Sequence, residues 1–190
     1  MPRLFDDLGE EADWVAEADL FRQAFRRYAT TVVVVTYFDR ENRPCGLTAT
    51  SMCSLSPSPP SLIVCINRSS RSHAEIAERG RYGVNLLSVG LRSVALHCSR
   101  PGMDKRLQDD WLETDVPPNS TPRLRGALAH LECVVHSSYE PFSHTMFLGL
   151  IKRVWVNPVE APPLLYHGGA YSQLEGSTEG VEASQPEPPE

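Results

Sequence analysis

The sequence lacks several features that mark common classes of protein. In its 190 residues no apolar run reaches the roughly 18–20 residues of a membrane span, and the N-terminus is acidic where a secretory signal is basic and then apolar. We therefore expect a cytoplasmic protein with no membrane partner. The motifs G-x-G-x-x-G, G-x-S-x-G and H-E-x-x-H and the P-loop are also absent, which argues against a Rossmann-type domain and against the familiar hydrolase sites.

Metal-binding and redox patterns are missing as well. The five cysteines are an odd number and contain no C-x-x-C pair, so neither a zinc knuckle nor a redox dithiol is encoded, and small buried hydrophobes are expected instead. His130, His136, His144 and His167 lie in or beside predicted strands, but without the spacing of a zinc site. No metal is expected. His144 and His167, where a turn meets a strand, are better candidates for placing a substrate.

The charge is distributed unevenly along the chain. Residues 1–19 hold seven acids and one base, and residues 175–190 hold five Glu and no base, so the rest carries +5 although the whole chain carries −6. The central part is therefore expected to meet anions. It contains no extended basic stripe, so a small phosphorylated ligand is expected rather than a nucleic acid.

These shifts in composition predict three parts. Residues 1–19 form an acidic extension, residues 20–174 form the folded domain, and residues 175–190 form a disordered tail rich in Pro and Glu.

The first third of the domain predicts strands joined by turns. After a helix with apolar residues from Phe21 to Tyr28, the β-branched run Thr31–Phe38 is typical of a strand buried on both faces. Further strands are predicted over residues 45–54 and Leu62–Asn67, separated by a Ser and Pro segment. Turns between successive strands favour antiparallel pairing, so we expect a mainly β protein built as an antiparallel barrel with a few flanking helices.

Helices and a long loop follow. A capping box of Ser72 and Glu75 predicts a helix over residues 72–79, and a second helix is expected over residues 91–98. The polar loop Ser99–Thr121 has the length of functional loops.

The remaining strands bring the expected total to about seven, with three helices. In the strand over residues 127–136, apolar residues alternate with His130, Glu132 and His136, which predicts one buried and one polar face. A longer strand over residues 145–156 and a closing segment over residues 162–171 complete the pattern.

Two segments are candidates for a binding site. Asn67–Ser72 places hydroxyls and a guanidinium at a helix N-terminus, which suits a phosphate, although a plain capping turn would look the same. Gly46–Ser51 is a strand of small, hydroxylated residues, which leaves room for a flat ligand or for a helix packed above it.

The order of these motifs resembles the flavin reductase family, the split-barrel FMN-binding reductase components of two-component flavin monooxygenases. The resemblance covers about residues 20–174. The matching segments are residues 21–25, 30–36, 46–51, 56–60, 69–72, 80–87, 104–111, 122–133 and 163–171.

The resemblance implies a homodimeric split barrel that binds FMN or FAD and takes hydride from NADH or NADPH to flavin N5, for use by a partner monooxygenase. It implies His144 as the catalytic residue near the flavin ring. The implied flavin-binding residues are Gly46, Thr48, Ala49, Thr50, Ser51, Asn67, Ser70, Arg71, Ser72, Asn85, Asp104 and Lys105. The implied NAD(P)H-binding residues are Tyr166, His167, Gly168 and Gly169.

Three segments depart from the family pattern, at Thr50–Met52, Leu107–Asp109 and Phe142–Ser143. Because they touch the implied flavin and nicotinamide contacts, two alternatives stay open. One is a flavoprotein that keeps its flavin and acts on an organic substrate. The other is a non-catalytic flavin-binding or interaction module.

Overall fold

The structure is a computed structural model that describes residues 18–174. The predicted tail 175–190 and most of the predicted acidic extension lie outside this range, but Ala18 and Asp19 belong to the first helix. None of the described helices has both the length and the apolarity needed to cross a bilayer.

Three α-helices and ten strands make up the described chain. The helices are α1 (Ala18–Arg26), α2 (Arg71–Arg79) and α3 (Arg92–Ser99). The strands are β1 (Thr30–Thr31), β2 (Val33–Phe38), β3 (Pro44–Ala49), β4 (Met52–Pro57), β5 (Pro60–Asn67), β6 (Arg81–Leu86), β7 (Ala129–Tyr139), β8 (His144–Val156), β9 (Leu165–His167) and β10 (Ala170–Ser172). The predicted mainly β class is confirmed, and each predicted helix is found to within a few residues.

Seven strands form one antiparallel sheet in the order β3-β2-β6-β7-β8-β5-β4. Its two edge strands, β3 and β4, are not paired with each other among the described residues, so the sheet is not closed into a barrel by hydrogen bonds. A second, three-stranded sheet has the order β1-β9-β10. The strand predicted over residues 45–54 is in fact two strands, because the chain leaves the sheet at Thr50 and Ser51.

The sheet has a hydrophobic core on each face, and β2 contributes to both. Val33 and Val35 point into a core shared with Tyr82 and Phe147. Val34 points into the other core, formed with α3 and the long loop. The prediction that this β-branched run is buried on both faces is therefore confirmed.

The long loop folds onto the sheet and covers His130 and Glu132 on the polar face of β7, whereas His136 stays exposed. His130 and Glu132 are buried, where alternation alone predicts an exposed polar face. Thr121 of the loop donates its backbone N–H to Glu132 and hydrogen-bonds His130 through its hydroxyl. The loop thus supplies partners that satisfy these polar groups away from water.

The α2 helix begins earlier than its capping box predicts. Ser70 is the N-cap, and its hydroxyl accepts a hydrogen bond from the His73 N–H at 3.2 Å. Ser72 instead lies inside the helix, where it is buried. Gly80 ends the helix in the left-handed conformation that glycine adopts without strain.

Candidate functional site

A cleft of about 600 Å³, which we call the strand cleft, lies between β3, α3 and the β9–β10 hairpin. Its lining residues are Thr48, Ala49, Thr50, Arg92, Leu96, Ser99, Tyr166, Gly169, Ala170 and Tyr171. The Thr48 hydroxyl donates to the Ala95 carbonyl at 2.7 Å, which fixes α3 beside β3. Thr48, Ala49 and Thr50 have small side chains, which leave room beside this stretch of chain for a planar ring.

A second cleft of about 720 Å³, the loop cleft, lies beside the first, and Ser99 lines both. The loop cleft is formed by the β2–β3 turn, the start of α2 and the first part of the long loop. Its lining residues are Tyr37, Asp39, Arg43, Cys45, Leu47, Asn67, Ser69, Ser70, Arg71, Ser72, Ser99 and Pro101–Arg106.

The start of α2 provides the anion-binding features of the loop cleft. Asn67 Oδ1 accepts hydrogen bonds from the Ser69 N–H and hydroxyl, both at 2.8 Å, which holds the turn before the helix. The first N–H groups of a helix have no acceptor within it and carry the positive end of its dipole. The exposed guanidinium of Arg71 stands at the same end. Together these groups suit a phosphate.

Ser72 lines the loop cleft, but its hydroxyl is already engaged. It shares a hydrogen bond of 2.8 Å with the Tyr37 hydroxyl, and both side chains are buried. Burial raises the pKa of Tyr37 to about 12, so the phenol stays neutral. This pair joins α2 to β2 and shapes the floor of the cleft.

Asp104 and Lys105 line the loop cleft, and their hydrogen bonds hold the loop in place. Lys105 Nζ donates to the carbonyl oxygens of Cys98 and Arg100, and burial lowers its pKa. Asp104 accepts hydrogen bonds from the Arg106 N–H and guanidinium, which lower the pKa of its carboxyl. Both charges are thus occupied within the loop.

Three residues predicted to bind flavin do not line either cleft. Asn85 is fully buried, and its side chain bonds to Val34, Thr36, Leu124 and His130. The Ser51 hydroxyl donates to the Cys65 carbonyl. Gly46 has a packing role, because a Cβ there would lie 2.8 Å from Cys98 Sγ.

The predicted histidine sites also lie outside the clefts. His144 is exposed at the start of β8, opposite Asn67 in the sheet, and its Nδ1 is 2.9 Å from Ser143 Oγ. It is therefore close in the fold to the start of α2 but does not line the loop cleft. In the β9–β10 hairpin, Tyr166 and Gly169 line the strand cleft, whereas His167 and Gly168 do not.

Sequence reasoning missed several lining residues. Arg43 lies in the segment interpreted only as a turn, and Ser99 and Arg92 lie on α3, which the motifs do not include. The cluster of charged residues around Arg43 is the sequence signal that could have indicated its role. No sequence signal marks Ser99, because its position between the clefts depends on how α3 packs.

The positions of the cysteines and of possible metal ligands also bear on the chemistry of the site. Cys45, Cys98 and Cys133 are buried as predicted, whereas Cys53 is exposed, and none of the five is in a disulfide. Within residues 18–174, no group of three His, Cys, Asp or Glu side chains is placed to hold a metal ion.

Comparison with known proteins identifies the family. Residues 25–175 match the flavin reductase like domain. The chain is 32% identical to the flavin reductase (NADH) of Kitasatospora aureofaciens, over 85% of this chain and 84% of that protein. It is 30% identical to the flavin-dependent monooxygenase reductase subunit HsaB of Rhodococcus jostii, over 82% of this chain and 77% of that protein.

A solved structure agrees with this result. The NADH:FAD oxidoreductase SgcE6 of Streptomyces globisporus, in complex with NAD and FAD fragments, superposes with a TM-score of 0.75 at 29% identity. The match covers 86% of this chain and 96% of that one. The chain therefore belongs to the flavin reductase family, as the order of its motifs predicts.

Proposed function

We propose that this protein is an NADH-dependent flavin reductase that supplies reduced FMN or FAD to a partner monooxygenase. The observation that carries the proposal is the pair of clefts that meet at Ser99. One is lined by small side chains that leave room for a ring system, and the other has a helix N-terminus and Arg71 that suit a phosphate. A flavin nucleotide has these two parts.

The protein binds and orients the two reactants. The flavin ring, when bound, supplies the electron-accepting chemistry, so no side chain is needed as an acid or base. Thr48, Ala49 and Thr50 of the strand cleft would hold the ring, and Tyr166 and Gly169 of the hairpin would contact the nicotinamide. Bringing two reactants together in a fixed orientation supplies much of the rate acceleration.

A direct assay tests this function. Purified protein is mixed with NADH or NADPH and with FMN or FAD, and nicotinamide absorbance is followed. We expect oxidation with NADH and at least one flavin, and release of free reduced flavin. No oxidation with any of the four pairings would refute the proposal. Protein that purifies yellow and shows little turnover of added flavin would instead support a retained cofactor.

Filling the junction between the clefts is expected to weaken flavin binding. Ser99→Trp places a large side chain where the ring and the phosphate must be bridged, and we expect the dissociation constant for FMN to rise about tenfold or more, on the order of 1.4 kcal/mol. Ser93→Trp is the matched control, since Ser93 is exposed on the same helix and lines neither cleft. Flavin fluorescence titration measures both. Equal affinities in the two variants would contradict a flavin that spans the clefts.

We also propose that the chain forms a homodimeric split barrel. The sheet curves around one core, because Cys45 from one edge strand and Val64 from the strand beside the other edge share it. The aromatic residues Phe21, Phe25 and Tyr28 of the α1 region are 57–62% exposed. A second copy would cover this face, and light scattering should give twice the 21.1 kDa chain mass.

The partner and the location complete the proposal. A relative named as the reductase subunit of a flavin-dependent monooxygenase supports an oxygenase as the acceptor of reduced flavin. Five free cysteines are typical of reducing compartments, which supports the cytoplasm.

His144, beside the start of α2, is proposed to contact the bound reactants at the edge of the loop cleft.

A further inference from the structure

Two arginines at the loop cleft share one carboxylate oxygen. Arg43 Nη2 lies 2.7 Å from Glu41 Oε2, and Arg71 Nη2 lies 3.9 Å from the same atom. Arg43 comes from the β2–β3 turn and Arg71 from the start of α2, and both line the cleft. The Glu41 oxygen therefore marks a position where an anionic oxygen sits between two guanidinium groups.

The guanidinium of Arg43 is held in place by the carboxylate of Asp39. The Asp39 carboxylate, only 3% exposed, accepts hydrogen bonds from the Arg43 N–H and Nε, each at 2.8 Å, and from the Glu41 N–H. Burial alone would raise the pKa of Asp39, but the hydrogen bonds from Arg43 outweigh it and lower that pKa. The guanidinium is thus fixed before any ligand arrives, which lowers the entropic cost of binding.

Glu41, in contrast, is easily displaced. Its side chain is 58% exposed, and among the described residues its carboxylate is paired only with Arg43 and, more distantly, Arg71. Exposed ion pairs of this kind contribute about 0–1 kcal/mol. A ligand with a higher negative charge can take its place at little cost.

The other cations of the cleft are already committed. Lys105 donates to two backbone carbonyls, and Arg106 is paired with Asp104. Arg71 with the α2 N-terminus is sufficient for one phosphate, as in FMN. Arg43 is a second cation next to it. It is also paired, with buried Asp39 through Nε and Nη2, but its exposed partner Glu41 can be displaced, and a second phosphate group is the ligand part that matches the donors Glu41 would leave.

We propose that Arg43, together with Arg71, binds the diphosphate of FAD in the position of the Glu41 carboxylate, so that the loop cleft selects FAD over FMN. This inference rests on the proposed flavin binding. Pro101–Arg106 also line the loop cleft, whose volume is about 720 Å³, and we place the adenosine half of the dinucleotide beside them. Glu41 then acts as an internal competitor that a diphosphate displaces.

Titrations with both flavins test the inference. We expect Arg43→Gln to weaken FAD binding about tenfold or more, the loss of a charge-assisted hydrogen bond, and to change FMN binding less than about twofold. Glu41→Gln should tighten FAD binding more than FMN binding, because Glu41 lies closer to Arg43 than to Arg71. Arg40→Gln is the matched control, because Arg40 lies in the same turn but pairs with Glu78 outside the cleft.

The outcomes separate this inference from the proposed function. If wild-type protein binds neither flavin, the proposed function fails. If it binds both and Arg43→Gln affects them equally, or affects neither, the diphosphate site is refuted while flavin binding stands. Thermal unfolding of Arg43→Gln checks the fold, and should that variant be unstable, an unchanged FAD affinity in Glu41→Gln refutes the inference by itself.

Discussion

Gly83→Ala is expected to destabilise the protein by about 3 kcal/mol, the upper end of the usual cost of overpacking a core. A Cβ at this position would lie 2.5 Å from His130 Cε1 and 2.6 Å from the hydroxyl oxygens of Thr121 and Thr36. All three neighbours are buried and hydrogen-bonded, so none can move without breaking a bond. The substitution would therefore separate the long loop from the sheet.

Urea unfolding measures this effect. Gly90→Ala is the matched control, because the nearest atom to a Cβ there is Ser88 Oγ at 3.7 Å. We expect the control to stay within about 0.5 kcal/mol of the wild type, as for ordinary surface substitutions. A Gly83→Ala variant as stable as Gly90→Ala would show that the loop does not depend on this close approach.

Lowering the pH from 7.5 to 5 is expected to remove about 2 kcal/mol of stability through His130 alone. Burial lowers the pKa of His130 to about 4, against an ordinary value of about 6.5 in the unfolded chain. Between these two pKa values the unfolded state therefore binds a proton at His130 that the folded state does not bind. The contribution of His130 is complete above pH 6.5, falls as the pH drops, and is lost by about pH 4.

Hydrogen bonds define which nitrogen of His130 carries its proton. The Asn85 side-chain oxygen accepts from the Leu124 N–H at 2.9 Å and from His130 Nδ1 at 3.0 Å, since the Asn85 amide nitrogen donates to Val34 and Thr36. His130 Nε2 is left to accept from the Thr121 hydroxyl at 3.1 Å. A second proton on Nε2 would face a hydroxyl that already donates to it.

Free energies of unfolding measured at several pH values test this expectation. His130→Gln should be less stable at pH 7.5 but should show a shallower decline between pH 6.5 and 5. His136→Gln, at an exposed position of the same strand, should keep the wild-type decline. Equal slopes in all three proteins would contradict a neutral, buried His130.

Local sequence pattern predicts much of this fold because the forces involved act over a few residues. The β-branched run of β2 is buried on both faces, and the helices begin and end near their predicted bounds. Pattern fails where a distant segment supplies the partner. His130 on the polar face of β7 is buried because Asn85, 45 residues away in the chain, hydrogen-bonds its Nδ1, while Thr121 of the long loop hydrogen-bonds both His130 and Glu132.

The candidate site divides in the same way. Thr48–Thr50 and Ser70–Ser72 were found from their small and hydroxylated side chains, and they line the clefts. Asn85 belongs to a polar residue type that also suits a binding site, and only tertiary structure shows that its hydrogen bonds are used in the interior. Arg43 enters the site because the β2–β3 turn packs beside α2, which no local pattern encodes.

The end of α1 is bonded to the β9–β10 hairpin. The Arg26 carbonyl accepts a hydrogen bond from the Gly168 N–H at 2.8 Å, so the helix with the exposed aromatic face is joined to the hairpin that carries Tyr166 and Tyr171. A protein that binds α1 therefore also affects this hairpin, which forms one wall of the strand cleft. In the homodimer that we propose, a second copy on α1 would therefore also hold this hairpin in place, and turnover per chain should fall when the protein is diluted below the dissociation constant of the dimer.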